Sequence, residues 1–164
     1  MMAPQFRVGQ GFDIHRFVGA EETSRKLVLG GVHFVGERGL VGHSDADVVA
    51  HAAAESILGA CGLGNIGEHF PDTEPKYKDM NSIELLRQVA KMATDHNFQI
   101  GNIDCSVVCE RPKISSHRDE MQKNLSAATG APVTVKGRRA EELGALGRGE
   151  GIACWAVAIV STKN

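Results

Sequence analysis

The chain reads as an α/β protein, α+β in its layering: one mixed β-sheet with helices packed on one face, plus a separate β-hairpin. Three observations predict this. Residues 6–15 alternate with period two, as a strand does. Residues 42–62 switch to Ala-rich helical character. The run IACWAVAIV, residues 152–160, is apolar at every position, as expected of a central strand buried on both faces. No repeat or low-complexity segment breaks the 164 residues, so residues 1–164 read as one domain.

Each element follows in order. From Phe6, one strand face carries Phe6, Val8, Phe12 and Ile14, and the other carries Arg7, Gly9, Gly11, Asp13 and His15. RKLVLGGVHFVG places two β-rich runs around Gly30-Gly31, a hairpin signal. GHSDADVVAHAAAESILGACG is a helix, with Ser44 and Asp47 spaced as in a capping box. GLGNIGEHFPDTEPKYKDMN is a long, turn-rich connection of the kind that carries function. SIELLRQVAKMATDHNF is an amphipathic helix, IGNIDCSVVC a strand and ERPKI a Pro-containing loop. SSHRDEMQKNLSAATG is a third helix, stopped by Gly130 before Pro132. VTVK is a short strand, and the Gly- and charge-rich GRRAEELGALGRGEG leads into the last one.

Composition narrows the function classes. Hydrophobic residues make up 42% and the formal net charge is -2, so no basic surplus argues for nucleic-acid binding. No apolar run reaches the roughly 18 residues of a membrane-spanning helix. MMAPQF has neither the apolar core of a signal peptide nor the length of a transit peptide, so a cytoplasmic protein is expected. Cys105 and Cys109 are separated by about 13 Å along a strand, too far for a shared metal or a disulfide. With Cys61 and Cys154 they read as reduced, mostly buried thiols.

Chemistry concentrates first at Asp13 and His15. Period two puts both side chains on one face, about 7 Å apart along the strand, where they can serve one metal ion. HSDADVVAH offers His43 and His51 for a third ligand, and His51 lies one turn inside the predicted helix. Two imidazoles and a carboxylate make a catalytic zinc set that leaves a position open. The competing reading is a chance Asp-x-His pair with packed or capping histidines. GLGNIG matches a dinucleotide-loop pattern but follows a helix, not a strand, which argues against that use. GALGRGEG lacks the Lys-Ser/Thr ending of a phosphate loop, though its backbone and Arg148 could approach a phosphate. Glu141 is a candidate ligand for a hard metal ion, or a solvated acid.

Taken together, GQGFDIHRF, GHSDADVVAHA, GLGNIGEHFPDTEP, ERPKI and LGALGRGEGIA resemble, in order and spacing, the 2-C-methyl-D-erythritol 2,4-cyclodiphosphate synthase family. The resemblance covers nearly the whole chain. It implies a phosphorus-oxygen lyase of the non-mevalonate isoprenoid pathway. Such an enzyme converts 4-diphosphocytidyl-2-C-methyl-D-erythritol 2-phosphate to the 2,4-cyclodiphosphate and releases CMP. It makes Asp13, His15 and His51 the Zn2+ ligands and Glu141 the ligand of Mg2+ or Mn2+ shared with substrate phosphates. Besides Asp13 and His15, His43 and Ser44 match positions that hold the substrate's phosphate and polyol. Asn65, Ile66 and Gly67 match a further substrate loop, as do Phe70, Pro71, Asp72, Thr73 and Glu74. Cys109, Pro112, Lys113, Ile114 and Ser115 match the loop that holds cytosine.

The resemblance also implies a homotrimer, with each site shared across a subunit interface. In some members an axial cavity takes an isoprenoid diphosphate, and Arg148 matches its anion-binding position. Three departures stand out. Asn65 replaces a common Asp, and Ala145 replaces a frequently aromatic residue beside the axial cavity. KGRRAEELG replaces a Thr-rich run, so Arg138, Arg139 and Ala140 precede Glu141. Arg139 then stands where a threonine stabilises the transition state, which with His43 makes it a candidate catalytic residue. The alternatives are a trimeric zinc-containing ligand-binding homologue with impaired turnover, and a zinc phosphohydrolase.

Overall fold

The computed structural model describes residues 5–163. The expectation for MMAPQF falls mostly on residues 1–4, outside that range, as does the end of the predicted domain. Strand β1 (Phe6–Arg16) leads into a hairpin of β2 (Val28–Leu29) and β3 (Val32–His33). Helix α1 (Val48–Cys61), short α2 (Ile66–His69) and α3 (Ser82–Asp95) follow, then β4 (Phe98–Val108) and α4 (Arg118–Thr129). Strand β5 (Val133–Arg138), short α5 (Gly144–Gly147) and β6 (Gly151–Thr162) complete the chain. The main sheet has the order β1-β6-β4-β5. Its β4–β5 pair is parallel and the other two pairs are antiparallel, so the sheet is mixed as expected. Helices α1, α3 and α4 form the second layer, on one face.

Which face of β1 turns inward is decided by glycine rather than by apolar residues. A Cβ at Gly11 would sit 2.0 Å from the Ala52 carbonyl oxygen, and one at Gly9 would sit 2.1 Å from that of Ser56. Only bare backbone lets α1 lie this close. The glycine face, with Asp13 and His15, therefore packs on α1, while Phe6, Val8, Phe12 and Ile14 are exposed. The same holds for β6. It is central, as expected, but it is buried on one face only: Trp155 and Val157 are exposed on the other, and the Trp155 ring packs 4.8 Å from that of Phe12. An apolar stripe thus runs along the outside of the sheet.

Helix α1 is buried almost all round because the sheet, α3 and the hairpin enclose it. Its alanines keep the layers close, and Ile57 and Leu58 are fully buried. Each such side chain contributes about 1.5–3 kcal/mol relative to exposure. The capping box expected at Ser44 is not formed. Asp47 is the N-cap instead, its Oδ1 accepting from the Val49 and Ala50 N–H groups. Its two oxygens also accept from Gly30 N (2.8 Å) and Gly31 N (2.7 Å). Both glycines have positive φ, as a two-residue hairpin turn requires. A carboxylate serving four N–H donors outcompetes a serine hydroxyl, which can serve one or two. Ser44 is left outside the helix, free to face the site.

Candidate metal centre and ligand cleft

Two elements meet where β1 ends against the first turn of α1. Asp13 and His15 come from β1 and His51 from α1, and their ligand atoms all lie within 4.8 Å of one another. Asp13 Oδ1 accepts from the Ile14 N–H at 2.9 Å, which leaves Oδ2 for the centre. Oδ2 stands 3.2 Å from His15 Nε2 and 2.9 Å from His51 Nδ1. Tetrahedral zinc with bonds of about 2.0–2.1 Å needs ligand atoms about 3.3 Å apart. Donor types and spacing therefore fit a metal ion with a position left open. Gly42 makes room for His15, since a Cβ there would meet the imidazole Cε1 at 3.2 Å.

Electrostatics binds the trio together. Burial pushes the Asp13 acid up, but hydrogen bonds from His15 and His51 and their charges outweigh it and hold the carboxyl well below its usual range. Burial pushes the His51 imidazolium down, but Asp13, then Asp47 and Asp45, more than reverse this and raise its pKa. At neutral pH Asp13 is therefore ionised, with the His15 and His51 rings on either side of it.

The other predicted residues divide between two places. His43 is exposed and Ser44 half-buried near the trio; the Ser44 hydroxyl is 3.2 Å from His51 Nε2. Asn65 caps α2, its Oδ1 accepting from Glu68 N at 3.2 Å, while Ile66 N donates to Glu55 Oε1 at 2.9 Å beside the exposed Gly67. Phe70 packs edge-on to Tyr77, Pro71 is half-buried, and Asp72, Thr73 and Glu74 are exposed.

Cys109, Pro112, Lys113, Ile114, Ser115, Arg138 and Arg139 line a separate cleft of about 950 Å³. Six cationic side chains face this cleft against only Glu37 and Glu110, a lining suited to an anion. Burial, then the Glu110 and Glu37 charges, push the Cys109 thiol up to about 12, so it is an inert wall rather than a nucleophile. Glu110 organises the rim: Oε2 accepts from Arg139 Nε at 2.8 Å and Oε1 from Glu142 N at 3.2 Å. The hydrogen bond from Arg139 holds the Glu110 carboxyl below its ordinary range. Beside them Ala140 is half-buried, and Glu141 and Glu142 take left-handed φ values of 52° and 62°.

Glu141 does not join the Asp13 trio, which is the only such cluster among the described residues. Arg148 lies in a smaller cavity of about 340 Å³ with Phe17, Arg38 and Arg111. Sequence reasoning missed Ser82 and Asp45, which hold His51, and Glu110. The first two had a signal: HSDAD and NS each contain more cap-forming residues than one helix start can use. Asp47 caps α1 and Asn81 caps α3, so Asp45 and Ser82 are released for other work.

Fold and site define an α/β protein with a candidate three-ligand metal centre and a separate basic cleft. Residues 6–161 match the YgbB family model, and the chain belongs to this family. It is 48% identical over 161 residues to the 2-C-methyl-D-erythritol 2,4-cyclodiphosphate synthase of Geotalea daltonii, covering 96% of this chain and 92% of that one. Among solved structures, the bifunctional IspDF from Campylobacter jejuni aligns with TM-score 0.91 and 37% identity over 99% of this chain. The match spans 44% of that longer chain. IspF from Plasmodium falciparum, a CDP complex, aligns with TM-score 0.83 and 36% identity over 97% of both chains.

Proposed function

We propose that the chain, as one domain, converts 4-diphosphocytidyl-2-C-methyl-D-erythritol 2-phosphate to 2-C-methyl-D-erythritol 2,4-cyclodiphosphate and CMP. One observation carries the reading: an Asp13–His15–His51 centre of metal-binding geometry, in a chain 48% identical to synthases of that name. An oxygen of the substrate's 2-phosphate attacks the β-phosphorus. The bond from that phosphorus to the α–β bridging oxygen breaks, and CMP leaves with the electron pair. No protein nucleophile is needed, consistent with the inert Cys109.

The residues contribute positioning and charge. The cleft around Cys109–Ser115 takes the cytidyl group, which the CDP complex of the Plasmodium falciparum relative supports. Lys113, Arg138 and Arg139 offset diphosphate charge. His43 and Ser44 hold the 2-phosphate end, with Asn65–Gly67 and Phe70–Glu74 on the polyol. Zinc on Asp13, His15 and His51, and Mg2+ or Mn2+ through Glu141, would supply Lewis-acid polarisation of the phosphates.

The exposed stripe of Phe6, Val8, Phe12, Ile14, Trp155 and Val157 supports a homotrimer, in which the centre of one subunit meets the cleft of its neighbour. Arg38, Arg111 and Arg148 around the smaller cavity support an isoprenoid diphosphate as an axial ligand, although Ala145 removes an aromatic wall. No helix among the described residues is long and apolar enough to cross a membrane; our reading is a cytoplasmic enzyme. A trimeric binding protein with impaired turnover is the second reading. It is favoured by Asn65 being engaged in capping and Arg139 on Glu110.

Phosphorus NMR of the protein with the cytidyl substrate, zinc and magnesium separates these readings. Two coupled resonances of a cyclic diphosphate appearing with CMP are expected. Unchanged substrate favours the binding protein, and inorganic phosphate indicates a hydrolase.

A further inference from the structure

We propose that Ser82 and Asp45 are positioning residues that lock the His51 ring, keeping its proton on Nε2 and presenting Nδ1 to the metal centre. The proposal rests on the metal reading above. A neutral imidazole has one N–H and one lone pair, and what its neighbours can donate decides which nitrogen carries which. His51 Nε2 lies 2.9 Å from Ser82 Oγ and 3.2 Å from Ser44 Oγ. Ser82 has a single hydroxyl proton, and it goes to Asp45 Oδ1 in a short contact. The same serine's backbone N–H donates to Asp45 Oδ2 at 3.0 Å. A hydroxyl whose proton is committed to a carboxylate can only accept from the ring. Toward Ser82, the nearer of the two hydroxyls, Nε2 is therefore the donor; Ser44 Oγ, farther at 3.2 Å, already accepts from the Ala46 N–H at 3.1 Å.

Asp45 is held from both sides. Its Oδ1 also accepts from Asp47 N at 3.2 Å, and its own N–H donates to Met80 O at 3.2 Å. Ala46, in the left-handed region at φ 58°, turns the chain so that Asp45 and the Asp47 cap both face inward. Ser82 is fully buried at the start of α3, with Asn81 taking over the capping of that helix. With the first proton on Nε2, Nδ1 and Asp13 Oδ2, 2.9 Å apart, share a cation: a second proton in the metal-free ring, which donates to Asp13, or the metal ion that displaces it. The Asp45–Ser82 pair thus turns His51 into half of a cation site, although neither residue reaches the centre itself. Carboxylates behind metal-bound histidines act this way directly; here a buried serine relays the effect from α3 to α1.

The test uses full-length Ser82→Ala and Asp45→Asn, with zinc affinity measured by chelator competition and the His51 ring nitrogens followed by nitrogen-15 NMR. In the zinc-loaded wild type, Nε2 should be protonated and slow to exchange, with Nδ1 on the metal. Each variant should weaken zinc about 10- to 100-fold and speed exchange of the Nε2 proton, while its circular dichroism stays that of the wild type. The Asp45 variant keeps the proposal testable if the α3 start tolerates alanine poorly. Wild-type zinc affinity and an unchanged ring spectrum in both variants would overturn the proposal alone. A wild-type protein that takes up no zinc would overturn the metal reading, and this proposal with it.

Discussion

The candidate metal centre and the basic cleft are built by opposite means. Asp13, His15 and His51 are 13–23% exposed, and they stand on regular elements clamped by glycine contacts and backbone caps. Arg139, at the cleft rim, is 59% exposed and sits on a loop with two consecutive left-handed acids. The first region is finished within one chain. The second is an open cleft whose buried Cys109, Ile114 and Val135 lie under a charged rim. Preorganisation is concentrated where ligand atoms must meet to within tenths of an ångström, and it is relaxed at the exposed basic rim.

His51→Ala tests the comparison hardest. Zinc content should fall with CMP release, the latter by about 1,000-fold or more, equal to about 4 kcal/mol in barrier. Full activity with normal zinc stoichiometry would remove the site assignment. Acidity comes next. Because the His51 pKa is raised, its proton competes with metal up to that higher value, whereas the depressed Asp13 offers no competition above about pH 4. Zinc affinity should therefore climb with pH, by about tenfold per unit while one proton is displaced, and then level off. A flat profile from pH 5.5 to 8 would contradict this.

Gly11→Ala forces a methyl group onto the α1 backbone and should cost about 1–3 kcal/mol in urea unfolding, with zinc binding weakened as well. An unchanged unfolding midpoint would show that the layers can separate freely. The smallest effect is expected at the cleft. Arg139→Ala should raise KM about tenfold and leave zinc content untouched. A loss of zinc there would mean that the two regions are coupled.

Much of this was legible in the sequence because periodicity is a local property. Alternation put Asp13 and His15 on one face, and helical spacing put His51 one turn inside α1. Spacing alone left His43 and His51 as rivals; the family pattern favoured His51, and the packed geometry agrees. Orientation was less legible. Apolar patterning points Phe6, Val8, Phe12 and Ile14 inward, yet the absent side chains of Gly9 and Gly11 settle the packing. Ser82 reaches His51 across 31 residues, and Glu110 reaches Arg139 across 29. No local pattern encodes such pairs; only the surplus of cap formers hinted at the first.

Asp47 ties the hairpin turn to the first turn of α1, and His51 follows four residues later, its N–H bonded to the Asp47 carbonyl at 3.0 Å. The angular phase of α1 is thereby referenced to a fixed point outside the helix. One residue inserted between the two would swing the imidazole by about 100° around the helix axis and leave the fold free to form. For this centre, the count of residues from Asp47 to His51 carries as much information as their identities.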